Sequence, residues 1–375
     1  MYIKGVGMTK YGILREATPL LAYQASLQAL KDADMTMGDI DAIVCSSIEW
    51  FFSDERQRHF SSVLSSVFNT RVPIIRTPTA CSSGGAAFWT AQQLGFDNVL
   101  VVGSDKLMTC KTERVTDEFM MAAESTYEQN EGLNFPAQNA LVAQEYMKKY
   151  PDTNMDHLAM IAHKNHQNAK DNPHARFFGK EVDLDTIKKS PVVASPLRLF
   201  DCSISADGAA ACVLTKDKSD IKIAGSDLCS DFLGTFERGD NTSWDASTIT
   251  AKNVYEQAGI TAKDIDIAEL HDAFTIVELI AYEDLGFAKP GQAYKMIEDG
   301  YFTKEGKLPV NLSGGLKAKG HPVAATGLGQ IYELVQQLRN KAGDRQAKNP
   351  KIAYAQNIGG AGANITGHIL KKVST

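Results

Sequence analysis

The sequence lacks several features that would place it in common protein classes. It has six cysteines in 375 residues and no CxxC pair, so neither a disulfide framework nor a cysteine-based zinc site is expected. It has no apolar run of 18 residues and no signal-peptide core near its start, so we expect no membrane span and a cytoplasmic protein. The net charge of −6 shows no general basic excess, which argues against binding to nucleic acid or anionic lipid.

The rest of the composition is that of a globular chain, with 43% hydrophobic and 22% charged residues. Segments with apolar residues at helical spacing alternate with short apolar runs typical of buried strands. The segment 23–33 predicts a helix, and the segments 41–47, 72–79 and 98–105 predict strands. This alternation predicts an α/β protein with a largely parallel sheet covered by helices.

One internal repeat indicates two similar halves. Residues 29–44 align with residues 254–270, and Thr36 and Thr261 each stand three positions before an aspartate, a pattern related to the capping box. Each copy then predicts a helix, a short turn and a buried strand. The repeat favours a duplicated βαβ unit, although two amphipathic segments can also resemble each other by chance.

The duplication predicts an N-terminal lobe over residues 1–215 and a C-terminal lobe over residues 216–375. Residues 108–195 have a different character, because they are rich in Met, Asn, Gln, His and charged side chains. A long excursion of this kind in an α/β protein is typical of an inserted loop or cap region.

The segment PTACSSGGAA, residues 78–87, places Cys81 between a predicted strand and a predicted helix. The N-terminus of a helix carries partial positive charge and unpaired N–H groups, which favour a thiolate and stabilise an oxyanion. The small residues that follow would leave room for a ligand. A buried, unreactive cysteine is the alternative interpretation.

Two histidines support the nucleophile interpretation. His271 in ELHDAF and His321 in KGHPVAATG both fall where a predicted strand meets a loop in the second lobe, and such junctions form the sites of α/β folds. A thiol beside a histidine base is an activated nucleophile, and a second histidine can polarise a carbonyl oxygen.

His163 and His166 stand three positions apart on a predicted helix, which is a spacing that two metal ligands can have. No third ligand stands at a suitable spacing. We therefore prefer a solvated helix face and expect no metal site.

Taken together, these motifs resemble those of the thiolases, in particular archaeal acetoacetyl-CoA thiolases related to sterol-carrier-protein thiolases. The resemblance covers nearly the whole chain, and its specificity comes from several motifs in the right order. They are TACSSGGAA, NHQNAKDNPHARF (165–177), FDCSISADGAAACVL (200–214), HDAF, GGLKAKGHPVAATG (314–327) and AQNIGGAGAN (355–364).

The resemblance implies a fold and a set of roles. The thiolase fold has two pseudo-repeated lobes that form a layered αβαβα core, with an inserted loop or cap region. Cys81 would be the nucleophile that carries the acetyl group, and His321 would take its proton. His271 would contribute to the oxyanion hole for the enolate of a second acetyl-CoA. The backbone N–H groups of Cys81 and Gly359 would form the other oxyanion hole.

The sequence departs from the family pattern at the second catalytic thiol. Most thiolases carry that cysteine in a CxGGG segment, where this chain has Asn357, and sterol-carrier-type thiolases carry it in HDCF, where this chain has Ala273. The α-carbon proton would then pass to His321, to His271 or to water, or to a cysteine brought in by the fold; we favour a histidine. Those remaining cysteines are Cys202, Cys212 and Cys229.

The function implied by the resemblance is acetyl-CoA C-acetyltransferase, which interconverts two acetyl-CoA with acetoacetyl-CoA and CoA. No permanently bound cofactor is expected, since coenzyme A thioesters are the substrates. Another acyl-CoA condensing enzyme of this fold, a longer-chain 3-ketoacyl-CoA thiolase and a non-catalytic acyl-CoA-binding scaffold remain alternatives. The family further implies a homodimer or homotetramer, and a complex with an OB-fold scaffold protein and hydroxymethylglutaryl-CoA synthase.

Overall fold

The computed structural model describes residues 1–48, 57–109 and 111–374; Cys110 lies outside the described residues. The strands are β1 (Tyr2–Met8), β2 (Ala42–Ser46), β3 (Ile74–Arg76), β4 (Asn98–Asp105), β5 (Val192–Ala194), β6 (Leu197–Arg198), β7 (Gly208–Thr215), β8 (Ile221–Ser230), β9 (Ile267–Glu269), β10 (Ile352–Gly359) and β11 (Asn364–Lys372). The helices are α1 (Thr18–Asp32), α2 (Phe60–Phe68), α3 (Ser83–Gln93), α4 (Thr112–Met120), α5 (Phe135–Lys149), α6 (Met155–Lys170), α7 (Leu184–Lys189), α8 (Asp245–Ala258), α9 (Thr275–Asp284), α10 (Ala293–Glu298) and α11 (Thr326–Leu338).

The main sheet repeats one strand order on either side of its centre. The order is β3-β2-β4-β7-β1-β8-β11-β10-β9, with β1 and β8 paired at the middle. From the middle outward, the first half begins with β1 and β7, which are its first and last strands in the sequence. The second half begins in the same way with β8 and β11. The position that β3 occupies in the first half is taken in the second by Val310, which forms a bridge to Ala268 of β9. This order supports the duplication that the sequence repeat predicts.

The sheet is mixed, so the expectation of a largely parallel sheet was wrong. Parallel pairing among the described strands is confined to β2–β3, β2–β4 and β9–β10. The hairpin β10–β11 and the returning strand β7 pair antiparallel with their neighbours. Helical crossovers give parallel neighbours, whereas the hairpin β10–β11 reverses the chain directly, and β7 returns antiparallel to β4 after the insertion.

The two copies of the sequence repeat have the same local structure. In each copy, the threonine begins a short 3₁₀ turn whose aspartate accepts hydrogen bonds from the threonine backbone N–H and hydroxyl. All four distances are 2.8 Å, from Thr36 to Asp39 and from Thr261 to Asp264. The turn leads directly into β2 or β9.

Helices α3 and α11 lie between the two halves of the sheet. Helix α3 contacts β2 and β4 of the first half and also β10 and β8 of the second, and it packs against α11. Four strands separate β4 from β10 in the sheet order, a distance of about 24 Å at 4.8 Å per spacing, which one helix of about 10 Å diameter cannot span on a flat sheet. The halves therefore face each other, and α1 and α8 cover their outer sides, which gives an αβαβα layering.

The insertion between the lobes contains helices α4 to α7 and β5. Helix α6 packs against α9 and against a π-helical turn at Gly315–Lys319 in the second half. The boundary at residues 215 and 216 stays a prediction. No helix in the described residues is long and apolar enough to cross a membrane.

Candidate active site

A cavity of about 200 Å³ brings together Cys81, His271 and His321, as the motifs predicted. Cys81 comes from the first half, whereas both histidines come from the second. Helices α4 and α5 of the insertion close one side. The other lining residues are Thr116, Phe119, Phe135, Pro136, Asn139, Cys202, Ser203, Ser205, Trp244, Ala273, Phe274, Val277, Ile358 and Gly360.

The turn that carries Cys81 is held in a strained conformation. Ala80, directly before Cys81, has φ of +48°, in the left-handed region that L-residues rarely adopt. Ser82 Oγ donates to the Thr79 carbonyl at 2.7 Å and Ser83 Oγ donates to the Ala80 carbonyl at 2.6 Å. The two serines after the cysteine thus fix the turn that presents the thiol at the start of α3.

The small residues after Cys81 serve packing, so the expectation that they leave room for a ligand was wrong. Ser82, Ser83, Gly84 and Gly85 are all buried. A Cβ on Gly84 would lie 2.9 Å from the Ala324 carbonyl and 3.1 Å from two backbone nitrogens of the segment that begins α11. The glycine therefore permits the close approach of the two central helices.

Burial makes Cys81 a neutral thiol at rest. Desolvation raises its pKa to about 12; the charge of Asp105 also raises it, while a hydrogen bond from the Gly360 backbone N–H lowers it. Burial thus raises the pKa of the thiol by more than the helix N-terminus lowers it, and the thiolate expected from the sequence is not favoured. To act as a nucleophile, this thiol would need a base to take its proton.

A hydrogen-bond network fixes the tautomer of His321. Its Nδ1 lies 2.7 Å from Thr326 Oγ1, and the Thr326 hydroxyl donates to the Pro322 carbonyl at 3.0 Å. Because that hydroxyl has one proton, it accepts from Nδ1–H, and this network assigns a lone pair to Nε2. Burial lowers the pKa of His321 to about 3, so the ring is neutral near pH 7.

His271 has the opposite tautomer. Its Nδ1 lies 3.1 Å from Asn357 Nδ2, an amide nitrogen that only donates, so Nδ1 is the acceptor and Nε2 carries the proton. Burial, together with His321, holds the pKa of His271 well below its usual range. The two rings meet edge to face with centroids 5.6 Å apart. The site therefore offers one neutral acceptor and one neutral donor.

Gly359 packs against the turn that carries Cys81. A Cβ at this position would lie 2.5 Å from the Thr79 carbonyl and 2.6 Å from Ser82 Oγ, so the end of β10 packs directly on the Cys81 turn. The backbone N–H that hydrogen-bonds the thiol is that of Gly360, the next residue. The oxyanion role of the Gly359 N–H stays a prediction.

Comparison with known proteins establishes the family. The family Thiolase, N-terminal domain, matches residues 4–218, and the family Thiolase C-terminal domain-like matches residues 232–372. The chain belongs to the thiolase family. This confirms the resemblance and the thiolase fold predicted from the motifs.

Individual relatives agree with this assignment. Acetyl-CoA acetyltransferase of Methanothermobacter thermautotrophicus is 36% identical, over 98% of this chain and 98% of its own length. Sterol carrier protein 2 of Bos taurus is 34% identical, over 97% of this chain and 70% of its own length. The solved structure of an Ltp2-ChsH2(DUF35) aldolase has a TM-score of 0.82 at 23% identity, covering 99% of this chain and 97% of that one, and shows the same fold.

The carboxylate of Asp272, next to His271, connects the HDAF segment of this thiolase to two neighbouring segments. Asp272 accepts the Leu316 backbone N–H at 2.6 Å and the Asn165 side-chain amide at 2.8 Å. Burial raises its pKa to about 6, as does the charge of nearby Glu278. Asp272 thereby ties the HDAF segment to the insertion and to the turn that precedes His321.

Of the three remaining candidate cysteines, only Cys202 lines the cavity of this thiolase. Its thiol lies 3.6 Å from the Arg198 carbonyl, and burial raises its pKa to about 11. Cys212 is buried in β7, and Cys229 lies on β8. Ala273 lines the cavity at the position where sterol-carrier-type thiolases carry their cysteine.

The pair His163 and His166 does not occupy the solvated helix face that the sequence suggested. His166 is buried between the rings of Phe177 and Phe200, with centroids 4.5 and 5.1 Å away. His163 Nδ1 lies 3.2 Å from the Val182 carbonyl. Residues 1–48, 57–109 and 111–374 contain no group of three or more His, Cys, Asp or Glu placed to hold a metal ion.

Several residues that shape this site have no recognisable signal in the sequence. Thr326 sets the His321 tautomer from five positions along the chain, a spacing without a helical or strand signature. Asn357 was noted only as a missing cysteine. The aromatic side chains of the cavity wall come from the insertion and from two other segments, so no local sequence pattern predicts that they lie together. They are Phe119, Phe135, Trp244 and Phe274.

Proposed function

We propose that this thiolase is an acetyl-CoA C-acetyltransferase that works through an acetyl-cysteine on Cys81. The observation that carries the proposal is the pairing of one histidine acceptor and one histidine donor in the cavity that the Cys81 thiol also lines. Acyl transfer requires a base for the thiol, and carbon–carbon bond formation requires a donor for an enolate oxygen. The site offers both at neutral charge.

In the acylation step, His321 Nε2 takes the Cys81 proton while the sulfur attacks the thioester carbonyl. Backbone N–H groups at Cys81 and Gly359 stabilise the tetrahedral oxyanion, with Gly360 adjacent to the sulfur. The carbonyl re-forms, coenzyme A leaves as a thiolate, and His321 returns the proton to it. His321 is then neutral again, with Nε2 free.

In the condensation step, the thioester oxygen of a second acetyl-CoA accepts a hydrogen bond from His271 Nε2–H. His321 Nε2 takes the α-carbon proton, and the enolate attacks the acetyl carbonyl on Cys81. The Cys81 thiolate is expelled and recovers the proton from His321. Cys202 suits this role less well, because its thiol would first have to lose its own proton, whereas neutral His321 already has a lone pair on Nε2.

A second candidate is a thiolase for a bulkier 3-oxoacyl-CoA. The aromatic side chains of Phe119, Phe135 and Trp244 on the cavity wall favour an acyl group larger than acetyl. A scaffold without catalysis is less well supported, because acyl-CoA binding alone does not require two histidines in opposite tautomers. Kinetic comparison of acetoacetyl-CoA with longer 3-oxoacyl-CoA substrates separates the two enzymatic candidates.

The decisive experiment is thiolysis of acetoacetyl-CoA by the purified protein with free CoA. We expect turnover in the wild type and none above background in Cys81→Ala. The matched control Cys202→Ala, which removes a second thiol that lines the cavity, should retain most of the activity. Wild type that acetylates Cys81 but performs no thiolysis would contradict the proposed carbon–carbon step.

The assembly state remains a prediction at two levels. The family implies a homodimer or homotetramer, which light scattering on the purified protein measures directly. It also implies a complex with an OB-fold scaffold protein and hydroxymethylglutaryl-CoA synthase. A fold relative that carries a second protein in its name, Ltp2-ChsH2(DUF35) aldolase, supports a search for such a partner. Co-purification that yields only a homo-oligomer would count against the complex.

A further inference from the structure

Asn357 is a buried polar residue whose role the reaction scheme above leaves unassigned. It lies on β10 with 1% of its surface exposed, at the position where most thiolases are expected to carry a second catalytic cysteine. An amide does not transfer protons near neutral pH, so the residue does not replace that cysteine chemically. Its contacts indicate a different role.

Three hydrogen bonds fix the orientation of the Asn357 amide. The Gly85 backbone N–H, which only donates, lies 3.1 Å from Oδ1, so this atom is the oxygen. The nitrogen Nδ2 therefore faces the other way and donates to the Cys81 carbonyl at 3.0 Å and to His271 Nδ1 at 3.1 Å. A flipped amide would place a nitrogen against an N–H and an oxygen against a carbonyl.

We propose that Asn357 is a positioning residue that keeps His271 in the tautomer with the proton on Nε2. With Nδ1 committed as an acceptor, the remaining ring nitrogen is the donor available to an enolate oxygen in the cavity. The same amide ties β10 to the nucleophile turn and to the first turn of α3. The catalytic consequence rests on the proposed thiolase function, whereas the tautomer does not.

A cysteine at this position would support the donor arrangement poorly. A thiol is a weak donor with one proton and cannot bond both His271 and the Cys81 carbonyl. By this proposal, a site with asparagine in place of the cysteine lacks a proton carrier at this position but holds His271 as a fixed hydrogen-bond donor.

The first test is histidine tautomer analysis by ¹⁵N NMR of the full-length protein labelled on histidine nitrogens. The chain has eight histidines, and the His271→Asn spectrum assigns the His271 signals by their loss. We expect an unprotonated Nδ1 and a protonated Nε2 in the wild type. In Asn357→Asp the carboxylate accepts rather than donates, so the proton is expected to move to Nδ1. A protonated Nδ1 in the wild type would overturn the proposal.

The matched control is Gln356→Glu, the same amide-to-acid change one residue away on β10. Gln356 is equally buried and donates to Ser247 Oγ at 2.8 Å, on α8. Its variant should leave the His271 signals unchanged. A shift of the tautomer in Gln356→Glu equal to that in Asn357→Asp would show a general effect of buried charge and overturn the specific role.

The second test is kinetic and uses Asn357→Cys, a neutral variant that also covers the case in which Asn357→Asp does not fold. We expect kcat for thiolysis to fall by roughly 10²-fold, the usual cost of losing one oxyanion donor. Acetylation of Cys81 by acetyl-CoA does not use the His271 donor and should fall far less. Unchanged or increased kcat in Asn357→Cys would overturn the positioning role. Wild type without thiolysis would refute the proposed function and leave the NMR result standing.

Discussion

At the scale of single residues, the site depends on partners that set the state of each catalytic group. Cys81, His271 and His321 were found from their motifs because a thiol at a helix start and histidines at strand ends are local patterns. Asn357, the partner of both Cys81 and His271, was not found, because it lies 276 positions from Cys81 and 86 positions from His271 in the sequence. The tautomer of His271 follows from a contact with Asn357 across 86 positions, and that of His321 from a contact with Thr326 only five positions away, and neither spacing is a recognisable sequence signal.

The role of Thr326 can be tested by removing its hydroxyl. In Thr326→Val the His321 Nδ1–H loses its acceptor, so Nε2 no longer holds a fixed lone pair toward Cys81. We expect acetylation of Cys81 by acetyl-CoA to slow by at least about 10-fold, since a positioned base contributes roughly 10²–10⁴-fold. Mass spectrometry of the acetyl-enzyme over time measures the rate. Thr326→Ser, which keeps the hydroxyl, should acetylate Cys81 at close to the wild-type rate. A Ser variant as slow as Thr326→Val would refute the role of the hydroxyl.

At the scale of elements, the sequence predicted which segments fold but not all of their pairings. The helical periodicity of residues 23–33 corresponds to the later part of α1, and the apolar runs 41–47 and 98–105 became β2 and β4. The antiparallel return of β7 was missed, because strand direction depends on a connection through the 108–195 insertion. The central position of α3 could not be predicted either, because small residues at the start of a helix are compatible both with close helix packing and with an open ligand site.

The close contact of α3 with the segment that begins α11 makes Gly84 sensitive to a single methyl group. In Gly84→Ala the new Cβ meets the Ala324 carbonyl at 2.9 Å, and this backbone has little freedom to move. We expect a loss of about 1–3 kcal/mol from overpacking, against a gain of about 1 kcal/mol in helix propensity. The thermal unfolding midpoint should therefore fall. Gly239→Ala is the control, because a Cβ there meets nothing within 4 Å; equal midpoints for both variants would contradict the packing argument.

At the scale of the whole molecule, duplication divides the chemistry between the halves. The first half supplies Cys81 and the second supplies both histidines and Asn357, so the cavity exists only when the halves face each other. This arrangement buries ionisable groups. Burial lowers the pKa of His166, His321 and His368 to about 3, and it raises the pKa of Asp284 to about 7 and moves that of Glu269 in the same direction.

These groups predict a steep loss of stability in acid. The unfolded chain protonates each histidine below about pH 6.5, whereas the folded chain does so only near pH 3, so each costs up to about 1.4 kcal/mol per pH unit in between. Between about pH 6.5 and 4.5 the buried carboxyls oppose this, because the folded state keeps protons that the unfolded state releases. Below about pH 4.5 the unfolded state also holds the Glu269 proton, and below about pH 3.8 it holds that of Asp284, so the histidines then act unopposed. We expect the urea midpoint to change little from pH 6 to 4.5 and to fall sharply by pH 3.5; equal midpoints at pH 4.5 and 3.5 would contradict the buried neutral histidines.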